Sequence, residues 1–543
     1  MALFLLGGGA VISASSEWVA AHKELLLPEM FIELEYTVSE PGLQEEAVAS
    51  SNDDTAFSQV EEIVSMEEKS GAKYATLEHG LWGLDGNYPY FNSPTDPGYV
   101  SQRLSGKDCY FSSYPKIIIS FSKLHTQLIP GISITWGSNF DEWAEEFKIS
   151  AWMDSNLIAE KTVRGNQSTF SAVWINLSNY SRLEIEVIKW SHPYRRARCS
   201  HVYLAIRKVY NKSDLMGFEH SQSADLLSAA LPKNAITFKL RNDDSRWNPD
   251  SPENETIYLL NQQEIRLRYG MDINGQVEWI DGGVFWIDEW DTPNNGIEAS
   301  FTARDGFTFM NQDYTGRLSG TLYEIAEAAL QQANLPGLST GADAYYLSPV
   351  LREYTTDVDG DQDYSISAVL QMVAHAANCV VYQDRRGTIR IEPWNESYSG
   401  YMIDPFISYT HPEYSISKPL KEVSVSYGTD QRVVIANADQ GEVQTVDNPM
   451  LMTAVDATRV GKKAQEILSK RKVISGEFRA DVRLDCLDPI IVTSKYASNI
   501  IAITEVNYST TGGAIRGRYT GRVTSIVLEP EEKYSGEYYS GEI

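Results

Sequence analysis

The chain has 543 residues, 42% hydrophobic and 11% aromatic, and its 74 acidic against 46 basic side chains give a formal net charge of −28. That length holds three or four domains, each able to bury a core, and the apolar content excludes a disordered protein. The acidic excess argues against a nucleic-acid-coating role, which needs clustered Lys and Arg.

Four scattered cysteines, none in a CxxC pair, argue against a zinc site or a disulfide framework. No stretch approaches the roughly 20 apolar residues that span a bilayer. The opening MALFLLGGGAVISASS has no positive charge before its apolar run and is interrupted by three glycines, unlike a secretion signal. The expectation is a soluble protein assembled in a cytoplasm.

In chain order, Ser16 can cap a helix over Glu17–Leu27, which Pro28 stops. Phe31–Val38 alternates as a strand but has no obvious partner before residue 235, which predicts one domain interrupted by another. Residues 40–70 read as an acidic loop.

Between Tyr74 and Lys208 short strands follow closely: Lys116–Phe121, Gly131–Trp136, Phe147–Trp152, Ser171–Ile175, Leu183–Ile188 and Ser200–Ile206. Their spacing predicts an all-β sandwich. Trp152 and Trp174 lie inside alternating strands and are expected in its core. Trp136 and Trp143 flank the loop Gly137–Glu142 and are the candidate carbohydrate-binding residues, since aromatic faces stack on pyranose rings. The basic run Arg195-Arg196-Ala197-Arg198 reads as a solvated edge-strand device, the alternative being a grip on an acidic neighbour.

Ala235–Phe309 organises the rest. Ile236, Phe238 and Leu240 share a face, and the same period of two recurs in Ile265–Tyr269, Val284–Trp290 and Ile297–Ala303. Turn chemistry at Asn248-Pro249-Asp250, Asn274-Gly275, Asp281-Gly282-Gly283 and Pro293–Gly296 separates the runs, predicting an antiparallel meander closed or nearly closed on itself. Thr321 with Glu324 forms a capping box for a helix to about Ala333. Ile366, Val369, Leu370, Val373, Ala374 and Ala377 fall on one helical face, followed by a hairpin, Val380–Tyr382 and Thr388–Ile391. Beyond Asp404, Glu422–Tyr427, Arg432–Ala436, Ile500–Tyr508 and Gly512–Gly521 read as strands of a second barrel carrying a helix over Asp456–Arg471. The tail EPEEKYSGEYYSGEI reads as a mobile terminus or a docking peptide.

No GxSxG, HExxH, P-loop or GxGxxG occurs. Asp357, Asp359, Asp361 and Asp363 have calcium-loop spacing, but Gln362 and Ala368 stand where an EF-hand needs Gly and Glu, so an ordinary acidic loop is expected. No catalytic residue, cofactor or metal ligand is assigned.

The block SADLLSAALPKNAITFKLRNDDSRWNPD and the later FTARDGFTFM resemble the first tube domain of phage tail baseplate hub (tail-tip) proteins, on Arg241–Pro249 and Ala303-Arg304-Asp305. The stretch PGISITWGSNFDEWAEEFKISAW through VYLAI resembles a discoidin-like or galactose-binding jelly roll, which implies a sheet sandwich whose tip loops often bind sugars.

Together these imply a mainly β fold with an α+β segment: two tube-type antiparallel β-barrels, an inserted β-sandwich and a small α+β domain. The divisions are 1–73 (N-terminal helix and first strand of tube domain 1), 74–208 (jelly roll), 209–312 (rest of tube domain 1), 313–400 (α+β), 401–529 (tube-like domain 2) and 530–543 (tail). The implied protein is a non-enzymatic, homotrimeric baseplate hub in the virion tail tip, assembled in the bacterial cytoplasm. Its implied partners are distal tail, tail tube and tape measure proteins and a receptor-binding protein or host surface glycan, with DNA only as passing cargo. The alternatives are a distal tail protein, or a carbohydrate-binding adhesion protein acting through the jelly roll.

Overall fold

A computed structural model describes residues 11–24, 28–39, 43–65, 74–75, 78, 90–91, 98–126, 128–137, 140–251, 263–292, 296–333, 345–358, 363–494, 497–511 and 514–527. The fold is mainly β with a small helical part. It divides into two compact units: Met1–Leu34 with Asn211–Asp244 and Arg266–Ile543, and Glu35–Tyr210 with Ser245–Ile265.

The first unit is built on one long antiparallel sheet. Met30–Ser39 lies beside Glu264–Ile273, followed in order by Gln276–Asp291, Glu298–Arg304, Lys233–Arg241, Leu215–Ser223, Ser498–Thr511, Ala514–Val527, Lys472–Arg479 and Glu413–Ile416. The first strand does therefore pair far along the chain, where an ion pair between Arg268 and Glu33 at 3.3 Å also joins it, but its other neighbour in the sheet is Ala205–Tyr210, which lies before residue 235. Register follows the period of two: Ile236, Phe238 and Leu240 stand opposite Ala303, Phe301 and Ala299, all buried. Asn274 and Gly275 both adopt positive φ, 56° and 84°, as a two-residue hairpin turn between right-twisted strands requires.

Away from the core the cross-strand rows are polar. One runs Thr302, Thr237, Glu219, Ser509, Arg516, Arg479, and the next runs Arg304, Ala235, Ser221, Asn507, Arg518, Glu477.

The capping box forms as expected: Thr321 N–H donates to Glu324 Oε2 at 2.9 Å, and Glu324 N–H to Thr321 Oγ1 at 3.2 Å. At the N-terminus the cap is Ser15, not Ser16, and the helix is Ser16–His22. The helix Leu322–Ala333 forms, the helix Ile366–Ala376 buries the expected face, and Cys379–Gln383 pairs with Ile389–Pro393.

The expected second barrel changes. Leu420–Tyr427, Gln431–Ala436 and Glu442–Val446 form a separate sheet and do not join the large one. With the helix Ala454–Ser469 they share a single hydrophobic core with the α+β segment. The close approach comes from Gly461, where a Cβ would stand 2.8 Å from Ile435 Cγ1. Alternation gives a strand's faces, not the sheet it joins.

The second unit holds a sandwich. One sheet orders Val48–Ser51, Lys116–His125, Tyr180–Trp190, Ala144–Met153 and Asn156–Arg164; the other orders Phe170–Leu177, Ile129–Trp136, Arg196–Tyr203 and Tyr99–Leu104. Ile117, Ile119, Ile132, Ile134, Phe147, Ile149, Leu183 and Ile185 fill its core. Asn156–Arg164 was not foreseen: as a largely exposed edge strand it carries no apolar alternation.

Candidate functional site

Trp136 ends the strand Ile129–Trp136 and is 0% exposed. Its ring packs edge-on against Phe147 and Trp190, with centroids 5.0 and 6.1 Å away, and its indole N–H donates to Ser171 Oγ at 3.0 Å. A ring so enclosed presents no face to a sugar, so Trp136 is a core residue and not the loop-tip platform expected of it. Parity is the reason: it continues the inward row of Ile132 and Ile134.

Trp143 is half-buried against the same core, its backbone N–H donating to Ser191 Oγ at 3.1 Å. Trp152 and Trp174 depart from expectation in the other direction. Both are only half-buried, with the Arg182 guanidinium 5.2 Å from the Trp152 ring centroid.

The basic run is not a solvated edge. Arg198 is 1% exposed and sets its guanidinium on the Glu78 carboxylate, with Nη1 3.0 Å from Oε1, while the Arg196 backbone N–H donates to the same oxygen at 2.7 Å. Glu142, also 1% exposed, lies 3.3 Å from Arg195 Nη1 and accepts from Trp190 Nε1 at 2.8 Å. Phe140 covers Arg198, its ring centroid 4.2 Å from Cζ. Buried charges survive only when paired in this way, so the cluster serves to fix the end of the sandwich.

A second buried polar cluster lies in the first unit. His220, 0% exposed, has Nε2 2.9 Å from Asn234 Oδ1 and Nδ1 2.8 Å from the Tyr269 hydroxyl. With Nε2 donating to Asn234, Nδ1 is left to accept from Tyr269. Burial pushes the imidazole down to about 4, so it is neutral at ordinary pH.

Arg385, from the hairpin turn after Cys379–Gln383, donates to Asp485 Oδ2 at 2.8 Å and Oδ1 at 2.9 Å, and to the carbonyls of Asp281 at 2.8 Å and Val482 at 2.6 Å. Gln222 joins it on Asp485 Oδ1 at 2.9 Å. Tyr508 OH donates to the carbonyls of Asp481 and Leu484 at 2.9 and 2.8 Å. His22 of the first helix closes the far side, with Nε2 3.0 Å from the Ala480 carbonyl. The strand groups on either side of the Leu215–Ser223 and Ser498–Thr511 pairing are thus tied by sheet bonds and by one arginine clamp.

Gln383, from the same hairpin, accepts from Gly306 N–H at 2.6 Å and donates to the Val284 carbonyl at 2.8 Å. Beside it Asp305 caps a short 3-10 turn, Oδ1 accepting from Phe307 N–H at 3.3 Å, while Oδ2 is buried with no hydrogen-bond partner. Burial raises this carboxyl to about 7.

These groups were invisible to sequence reading. Arg385 lies between the two expected hairpin strands and His220 in a strand without a distinctive motif. Among the described residues no group of three or more His, Cys, Asp or Glu could hold a metal ion, and residues 359–362 of the acidic loop lie outside them. No helix among them is long and apolar enough to cross a membrane.

No protein-family model and no curated protein sequence matches the chain. Solved structures of similar outline include a prophage MuSo2 43 kDa tail protein from Shewanella oneidensis, at TM-score 0.43 and 12% identity, covering 58% of this chain and 95% of that one. A tail protein from Neisseria meningitidis MC58 follows at TM-score 0.42 and 11% identity, covering 58% and 93%. The Escherichia coli c3393 protein, a type VI secretion component described as similar to phage T4 tail proteins, gives TM-score 0.34 and 12% identity, covering 57% and 74%. All three are distant likenesses.

Proposed function

We propose that the chain is a structural, non-enzymatic protein of a phage or phage-like tail tip, a hub whose strand groups form two tube-type barrels. The reading starts from the motifs Arg241–Pro249 and Ala303-Arg304-Asp305. The observation that carries it is the pairing of Leu215–Ser223 with Ser498–Thr511, which makes one sheet of two strand groups far apart in sequence. Two such groups per chain suit a symmetry adaptor: three copies present six, matching a six-fold tube on one side and three-fold parts on the other.

The polar rows on the outer face of that sheet suit a water-lined channel. The two rows named above carry four arginines and two glutamates, so the chain's −28 is not concentrated there. The sandwich is read as an architectural attachment for neighbouring tail parts, since one of its two candidate sugar platforms, Trp136, is enclosed and the other, Trp143, is half-buried.

Mass photometry of the purified chain, alone and with tail tube or distal tail partners, tests the assembly. Trimers, or monomers that become three-fold rings with a partner, are expected. A stable dimer, or a monomer that joins no ring with any tail component, removes the hub reading.

A further inference from the structure

Among the described residues the large sheet of the first unit ends at Glu413–Ile416, a strand exposed at all four positions. An open edge of this kind offers backbone hydrogen bonds to any extended chain. The segment leading into it is unusually aromatic at the surface: Phe406 and Tyr409 are each 52% exposed, Tyr414 is 46% and Ile416 is 68%. Each of the three rings lies near a cation from the sheet. Arg479 stands 5.3 Å from Phe406, Arg516 5.4 Å from Tyr409 and Lys472 4.6 Å from Tyr414. Among the described residues neither Lys472 nor Arg516 has a carboxylate partner, whereas Arg518 next to them is satisfied by Glu477 at 2.5 Å. Exposed aromatics beside cations have the composition of an interface centre, not of a solvated surface.

We propose that this strip is the docking site for the chain's own C-terminal segment, residues 528–543. That segment, LEPEEKYSGEYYSGEI, has five glutamates against one lysine and repeats Tyr-Ser-Gly-Glu at Tyr534–Glu537 and Tyr539–Glu542. Its carboxylates complement Lys472 and Arg516, and its tyrosines complement the exposed rings.

The point of departure is adjacent. Lys472 Nζ donates to Asn499 Oδ1 at 2.9 Å, and the cross-strand partner of Asn499 is Ile526, two residues before the segment begins. Sixteen residues reach about 50 Å when extended, while the four-residue edge strand is only about 13 Å long. The segment therefore reaches the edge strand and the rings beyond it with length to spare. The proposal is independent of the tail-tip reading.

The test uses the full chain shortened at Val527 and a fluorescein-labelled 528–543 peptide, read by fluorescence polarisation. Saturable binding that weakens with added salt is expected. Replacing Lys472 and Arg516 together by Ala should weaken it about tenfold, two charge contacts at the surface and its edge being lost. Circular dichroism confirms that each variant is folded, and Lys472→Gln with Arg516→Gln serves where the alanine pair is not. Absence of saturable binding to a folded, shortened chain overturns the proposal, as does binding indifferent to both charge variants. Self-association of the shortened chain that excess peptide does not reverse also overturns it and assigns the strip to a second copy.

Discussion

Replacing Asp305 by Asn isolates the energetic cost of a carboxyl with one orphaned oxygen. The unfolded side chain titrates near 3.8 and the folded one is raised to about 7 by burial. Between those values the folded chain holds a proton that the unfolded chain has released, so stability falls as pH rises, by up to about 4 kcal/mol across the window. His220 works in the opposite sense. Its unfolded value is 6.5 and its folded value about 4, so the unfolded chain is the protonated one, and stability rises with pH by up to about 3 kcal/mol.

The two contributions oppose each other from about pH 4 to about pH 6.5, and only the Asp305 slope is removed by the substitution. Asn keeps an acceptor for Phe307 N–H and is neutral at every pH. Urea unfolding of the wild type and Asp305→Asn should therefore give curves that diverge steadily with pH, the variant gaining about 3–4 kcal/mol between about pH 4 and pH 8, then running parallel. All other titrating groups, the raised Asp488 included, are common to both proteins and cancel in the difference. A stability difference independent of pH would refute the reasoning.

Three further outcomes are expected. Arg385→Met leaves Asp485 without its cation and should cost about 3 kcal/mol, with faster hydrogen exchange in Ser498–Thr511; unchanged exchange would show that the clamp is not needed there. Gly461→Ala drives a methyl to 2.8 Å from Ile435 Cγ1 and should cost about 1–3 kcal/mol by thermal unfolding, whereas a helix propensity gain alone would stabilise. Trp136→Ala should cost about 3–5 kcal/mol by opening the sandwich core, and any glycan-array signal of the folded protein should be no weaker in Trp143→Ala; sugar binding lost on changing Trp143 alone would restore a ligand role to that residue.

The sequence made strands and caps legible because those are local. Ile236, Phe238 and Leu240 show their face by period, and Thr321 with Glu324 shows a cap by spacing. It also exposed the mismatch of Phe31–Val38, a strand with one partner more than two hundred residues away in Glu264–Ile273, though the other, Ala205–Tyr210, comes sooner than expected.

Illegible were facts set by who packs against whom. Trp136 beside a loop reads as accessible until Trp190 and Phe147 close over it. Arg195 and Arg198 read as solvated until Glu142 and Glu78 arrive from elsewhere in the chain. The sheet Leu420–Val446 alternates as barrel strands would, and only Gly461 marks how closely a helix covers it. Ion pairing and sheet membership are long-range properties, and spacing along the chain does not encode them.

The order of the large sheet has a consequence for synthesis. Its first strand begins at Met30 and its last long strand ends at Val527. At translation rates of about 5–20 residues per second, roughly 25–100 s separate the two on the ribosome. From the synthesis of Ser223 until that of Ser498–Thr511, the strand Leu215–Ser223 has one edge without its partner. The sandwich core, drawn from residues 43 to 204, is complete long before and can fold while the rest is made. The nascent chain thus waits with one finished domain and one unfinished sheet, and a trigger-factor-type chaperone that covers unpaired edges should raise its yield more than that of the sandwich alone.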